Sequence, residues 1–308
     1  MRSLLSELAS AFANVYSGWI LWNLFLAFIP LALSVWLFRR KSVSKPWFLC
    51  FAGLAAFIGV VGFWSRLPWV MRSQLYMLRD ALNGDLPAQL KLLWIGAIAL
   101  MALGINLWMF RLKANVRTWK WWVLLVVFIA FLPNAPYLLT DIIHLIRATS
   151  SGQISAWAIA LVFIPIHVIA IVTGFEAYVL SLMNQGYYLK QQGARWLVMP
   201  SELLIHALSA VGIYLGRFIR FNSWDLVVDP GNVLLTTFNA LTDKRPMLVI
   251  CITFVILTVA YWIMKQITLG LQLRIHYARK GLDPVDILEN ENANTRSQEN
   301  SSFMLSTR

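Results

Sequence analysis

Charge is what this sequence has least of. Only 13% of the 308 residues are charged, with 14 acidic residues against 26 lysines and arginines. Soluble domains draw about a quarter of their residues from Asp, Glu, Lys and Arg, so a water-facing globule is excluded. Cysteine is almost absent: Cys50 and Cys251 both lie inside apolar runs, too few for a disulfide framework or a thiolate metal cluster. There is no H-E-x-x-H, no G-x-S-x-G and no phosphate-binding glycine loop, and with four histidines no metal set is expected. The sequence leaves the cofactor unknown. The net charge of +12 raises nucleic acid as a partner, but the basic residues form no stripe and no recognised motif, so none is expected.

What the sequence has instead is apolar length. Hydrophobic residues make up 59% of the chain and mean hydropathy is +0.66. A span needs roughly 20 apolar residues to cross about 30 Å of hydrocarbon, and about seven such runs emerge: Gly18 to Phe38, Trp47 to Trp64, Leu92 to Phe110, Trp119 to Leu139, Ala156 to Leu182, Trp196 to Leu215 and Met247 to Leu269. The expected fold is therefore all-α, a polytopic transmembrane helical bundle over residues 17–270. Residues 1–16 carry Leu4, Leu5, Leu8, Phe12 and Val15 at helical spacing and are expected as an interfacial amphipathic helix. Residues 281–308 are polar and low in complexity, and are expected as a disordered cytoplasmic tail.

The basic residues are best explained by topology. Arg39, Arg40, Lys41 and Lys45 crowd the first connection, Arg111, Lys113, Arg117 and Lys120 the third, and Lys265, Arg274, Arg279 and Lys280 follow the last span. Placing these in the cytoplasm puts the N-terminus outside and the C-terminus inside. Tryptophans such as Trp19, Trp22, Trp47, Trp64, Trp119, Trp121, Trp122 and Trp196 fall at run ends, as interfacial belts do. The connection Ser65 to Lys91 places Val70, Leu75 and Leu78 among arginines and closes on Asn83-Gly84, which reads as a surface amphipathic helix and a turn. FLAFIP at Phe25 to Pro30 echoes FIAFLP at Phe128 to Pro133. Inverted repeats would produce such an echo, and so does coincidence in a chain this apolar.

Two polar strings are not explained by lipid. In PNAPYLLTDIIHL, Pro133 and Pro136 each remove a backbone donor, so the fourth run should kink or end there. Asn134, Tyr137 and Thr140 can supply local partners. On a resumed helix Asp141 and His144 lie three apart, where a carboxylate orients an imidazole. In GIYLGRFIRFNSWDL, Arg217 and Arg220 are also three apart, followed by Asn222, Trp224 and Asp225. Two guanidiniums on one helix face suit a carboxylate or phosphate, and the alternative is an internal ion pair with Asp141 or Asp225.

This pair of strings, in this order within a many-span bundle, resembles the predicted bacterial membrane proteins of domain-of-unknown-function family 1361. The resemblance covers roughly Asn23 to Lys265. It implies a shared membrane fold in a bacterial plasma membrane and marks Asn134, Pro136, Tyr137, Asp141, His144, Arg217, Arg220, Asn222, Trp224 and Asp225 as signature positions, and it implies no reaction.

A deeper group consists of Glu176, Glu202 and His206. A mid-membrane carboxylate costs about 2.5 to 3.5 kcal/mol on insertion scales, so it turns inward and finds partners. The functional reading is a proton relay, and the structural one a neutral Glu202 bonded to His206. His167 reads as a packed histidine, and Lys265 as a snorkelling one. Three functions follow: an outer-face site for an anionic headgroup or lipid-linked phosphate, with Asp141 and His144 as acid–base pair of an intramembrane hydrolase or transferase; a proton-coupled transporter or channel; and a non-catalytic scaffold.

Overall fold

The computed structural model describes residues 19–39, 42–64, 67–93, 96, 119–150, 155–221 and 230–281. The secondary structure of the described residues is helical throughout. The principal helices are α1 (Trp19–Phe38), α2 (Lys45–Trp64), α3 (Leu67–Leu82), α4 (Trp119–Phe131), α5 (Ile142–Ser150), α6 (Ile164–Gln191), α7 (Val198–Tyr214), α8 (Pro230–Thr242) and α9 (Lys244–Ala278). Among the described residues, six segments are long and apolar enough to cross a membrane: Trp19–Phe38, Lys45–Trp64, Trp121–Ile146, Ala156–Gln191, Arg195–Ile219 and Lys244–Ala278. The expected third span, Leu92 to Phe110, falls almost wholly outside the described residues, as do the amphipathic segment 1–16 and the tail from residue 282.

The chain divides into two compact units, Met1–Thr258 and Val259–Arg308. In the first, α1 is the central helix. Its buried positions, among them Ile20, Asn23, Ala27, Ser34 and Leu37, recur every three or four residues, as one face of a 3.6-residue helix must. That face is covered chiefly by α6, α2 and α4. The contacts also give direction. Trp22 meets Phe63 and Trp36 meets Phe48, so α1 and α2 are antiparallel. Phe28 clusters with Ala177, and Phe38 meets Tyr188, so α1 and α6 run the same way. Phe38 meets Trp121 at the start of α4, while Asn23 meets Asp141 beyond its end, which makes α4 antiparallel to α1. These directions match an alternating bundle. α2 finishes at the Asn23 end and α4 starts at the Phe38 end.

The outer faces are apolar. Leu54, Phe57 and Val60 on α2 and Ile252, Ile256 and Val259 on α9 are more than half exposed, which in water would be an aggregation hazard and in lipid is the proper solvent contact. Trp47, Trp64, Trp119 and Trp196 are exposed near helix ends, whereas Trp22 and Trp121 pack on aromatic neighbours inside the bundle. Cys50 and Cys251 are free thiols. The expected amphipathic helix is α3, with Met71, Leu75, Leu78 and Leu82 exposed along one stripe. Its end is the expected turn, in which Gly84 takes φ +93° and Asp85 N–H reaches Asp80 O at 3.1 Å. In the second unit, Lys265 lies over the Tyr261 ring with Nζ 5.1 Å from its centroid.

Candidate polar site at one end of the bundle

The two proline-containing strings behave differently. Pro30 sits inside an α1 that continues to Phe38, whereas α4 ends at Phe131, two residues before Pro133. Past that point a helical turn (Asn134–Tyr137) and a 3-10 turn (Leu138–Asp141) lead into α5. The backbone accounting shows how the break is tolerated. Ala135 N–H turns to Leu132 O (3.2 Å) instead of Phe131 O, and the Asn134 amide donates to Phe131 O at 2.9 Å. Thr140 Oγ1 donates to Tyr137 O at 2.7 Å. Lipid offers no donor for a released carbonyl, so these side chains are what allows the irregular turn at membrane depth.

The turn is seated by glycines on its neighbours. A Cβ at Gly212 of α7 would lie 2.8 Å from Pro133 Cβ, and one at Gly174 of α6 2.6 Å from Leu138 Cδ1. Small residues at such crossings let membrane helices approach closely. The approach brings Arg217, one turn beyond Gly212, onto the broken segment.

There the site forms around Asp141, whose side chain is 3% exposed. Its Oδ2 accepts a hydrogen bond from Asn23 Nδ2 at 2.7 Å, and its Oδ1 one from Arg217 Nη2 at 2.7 Å. Arg217 also donates through Nε (2.9 Å) and Nη2 (2.6 Å) to Thr140 Oγ1. Its guanidinium carbon stands 4.6 Å from the centre of the Tyr137 ring. His144 Nε2 is 3.9 Å from Asp141 Oδ1, beyond hydrogen-bond length, and its ring stacks on Trp19 with centroids 5.9 Å apart. Side chains from α1, the broken α4–α5 connection and the end of α7 therefore converge on one carboxylate.

The expected shared face of Arg217 and Arg220 does not form. After Tyr214 the helix widens into a π-turn, Leu215–Ile219, and Arg220 ends it in the left-handed conformation with φ 69°. The three-residue spacing then no longer aligns the two guanidiniums: Arg217 turns inward to Asp141 and Arg220 is exposed. The internal pairing alternative describes Arg217. Asn222, Trp224 and Asp225 lie outside the described residues.

In the deeper group, His206 and Tyr178 are buried between α6 and α7 with Nδ1 and the phenol oxygen 2.7 Å apart, and the Tyr178 hydroxyl also donates to Ser209 Oγ at 3.4 Å. Glu202 Oε1 lies 3.9 Å from where a Cβ on Gly186 would stand. The histidine thus shares Nδ1 with a tyrosine that the sequence reading did not single out. His167 is packed as expected, donating Nδ1–H to Phe163 O at 2.8 Å. Among the described residues no group of three His, Cys, Asp or Glu could hold a metal ion.

Asn23, Thr140 and Trp19 were also missed as site residues. Asn23 had a signal, being an amide in an otherwise apolar α1 and so in need of a partner in lipid. Trp19 was read as a belt residue only.

A chain whose described residues include six helical segments long and apolar enough to cross a membrane is a multi-pass membrane protein. Residues 94–259 match the family model described as Protein of unknown function (DUF1361). The chain belongs to that family, as the two polar strings implied. No curated protein and no solved structure matches it.

Proposed function

We propose that the cluster around Asp141 is a hydrophilic site at the outer face of the membrane that receives an anionic headgroup or a lipid-linked phosphate. The observation that supports this most is the convergence of Asn23, Arg217 and His144 on one buried carboxylate at the end of three lipid-embedded segments. Asp141 takes up one guanidinium charge. Arg220, exposed three residues beyond Arg217, carries a second guanidinium on the same chain segment. Arg217 Nη1 carries no partner among the described residues, and a phosphate oxygen suits that edge. His144, fixed between Trp19 and Asp141, is the group placed to move a proton, and the guanidiniums to stabilise developing negative charge. The reaction class that uses such parts is hydrolysis or transfer of a phosphate ester.

The test titrates protein in nanodiscs with a polyprenyl monophosphate. Arg220→Ala and His144→Gln both leave the Asp141–Arg217 pair intact. Arg220→Ala is expected to weaken binding about tenfold, the effect of one charge-assisted contact, while His144→Gln keeps binding and loses turnover. Equal affinity in wild type, Arg220→Ala and Arg217→Lys would sink the proposal.

A second reading, proton-coupled transport, is favoured by the Tyr178–His206–Ser209 string buried between two spans, with Glu202 one turn from His206 and Glu176 on α6. It expects flux in proteoliposomes that follows a pH gradient. Flux unaltered by Glu176→Gln, Glu202→Gln and His206→Gln would exclude it.

A further inference from the structure

At the opposite end of α1, Arg39 is held in a different manner. Its Nε donates to Asn184 Oδ1 at 3.2 Å, and Asn184 Nδ2 donates to Ser34 Oγ at 3.0 Å. Ser34 is fully buried and gives its own proton to Leu31 O at 2.7 Å. That last bond fixes the orientation of the rest. With its hydrogen spent on a carbonyl, the Ser34 oxygen can only accept, so the Asn184 NH2 must face it and the amide oxygen must face Arg39. The guanidinium then lies flat on Tyr187, 3.6 Å from the ring centre, and the Tyr187 hydroxyl is held by Gln191 Nε2 at 2.7 Å.

One face and one donor of Arg39 are thereby engaged. Among the described residues its Nη1 and Nη2 have no acceptor, and no carboxylate reaches it. A guanidinium in this state is a pre-ordered fork: its rotamer entropy is already lost to the clamp, while the edge that bonds anions in bidentate fashion stays open. Its surroundings are those of the headgroup layer. The preceding residue, Phe38, packs with Trp121 and Tyr188 near the ends of their helices, and Arg40, Lys41 and Lys45 follow in the sequence.

We propose that Arg39, clamped by Asn184 and Tyr187, is a binding site for the phosphate group of an anionic phospholipid in the leaflet at that end of the bundle. A single basic residue at a membrane surface attracts anionic lipid only weakly. The clamp adds direction, because a phosphate arriving at the open edge meets two parallel N–H donors with no side chain to order. A soluble phosphate has the same chemistry but lacks the acyl chains that would lie along α1 and α6.

The full-length protein, purified in neutral detergent, is mixed with phosphatidylglycerol or phosphatidylcholine, and retained lipid is counted by native mass spectrometry. Wild type is expected to favour phosphatidylglycerol by about tenfold. Arg39→Lys keeps the charge and loses the fork, and should bring that preference down to about two- to threefold. Arg39→Gln should abolish it, and Asn184→Ala, which frees the side chain without removing charge, should resemble Arg39→Lys. Displacement of the retained lipid by millimolar inorganic phosphate would assign the same fork to a soluble anion, and persistence of the lipid assigns it to the bilayer. A wild type without preference, or an Arg39→Gln variant that keeps it, overturns the proposal.

Discussion

Arg217 and Arg39 sit at opposite ends of one bundle, each clamped by partners on other helices, yet only one meets a carboxylate. Asn23 and Arg39 mark the two ends of α1. A step of sixteen positions between them spans about 24 Å at 1.5 Å per residue, most of the roughly 30 Å of a hydrocarbon core. Arg217 binds Asp141 and Thr140, so its charge is mostly spent inside the protein. Arg39 binds a neutral amide and a ring face, so its charge is not. A half-buried arginine therefore does not by itself announce an anion site. The question is what already neutralises it, and at the Asp141 end that question shifts attention from Arg217 to Arg220 and His144.

The contrast breaks most readily at Asp141. Asp141→Ala strands the Arg217 guanidinium and the Asn23 amide together, and loss of one partner of a buried ion pair costs about 3–5 kcal/mol. Arg39→Ala strands no charge and should cost about 1 kcal/mol. Thermal unfolding midpoints in one detergent would compare them; equal losses would mean that the two arginines are held alike. Next in size is Asn23→Ala, which removes one hydrogen bond to a charged acceptor, worth about 1.5–3 kcal/mol. Gly212→Leu should follow at about 1–3 kcal/mol, because its side chain overpacks against Pro133. Gly53→Leu, with nothing within 4 Å of its Cβ position, is the control expected to be near neutral.

The sequence shows one end of the bundle better than the other, for a physical reason. Apolar length alone reveals spans, since an unbroken apolar run of about 20 residues crosses lipid with its backbone bonded to itself as a helix. Prolines beside Asn134 and Asp141 reveal the break, because a missing donor and a charge at that depth both need compensation. Neither kind of signal specifies a partner. Asp141 could have paired with either arginine or with His144, and only the crossing of α7 over the broken turn selects Arg217. The π-turn that separates Arg217 from Arg220 has no local sequence mark, so counting by three could not anticipate it. At the other end, Arg39 looks like one more basic residue of a cytoplasmic connection. Its partners Ser34 and Asn184 are 150 residues apart and become meaningful only once α1 and α6 are known to lie side by side.

The finest distinction between the ends rests on Ser34. At the Asp141 end, removal of any one partner leaves a charge exposed to an apolar interior, so single substitutions there are each costly and non-additive. At the Arg39 end the clamp's acceptors are all neutral, and Ser34→Ala deletes only the acceptor of Asn184 Nδ2 and the donor to Leu31 O. The expected loss is about 1 kcal/mol. Its effect on the Arg39 fork should be larger than its effect on stability, because the amide of Asn184 is then free to rotate and offer either end to Nε. A double-mutant cycle between Ser34→Ala and Arg39→Gln, read by thermal midpoint, should therefore give a coupling well below that between Asn23→Ala and Asp141→Ala. A coupling at Ser34 as large as that at Asn23 would show that the second clamp holds the bundle together as firmly as the first, and the division between a structural ion pair and an unspent cation would no longer stand.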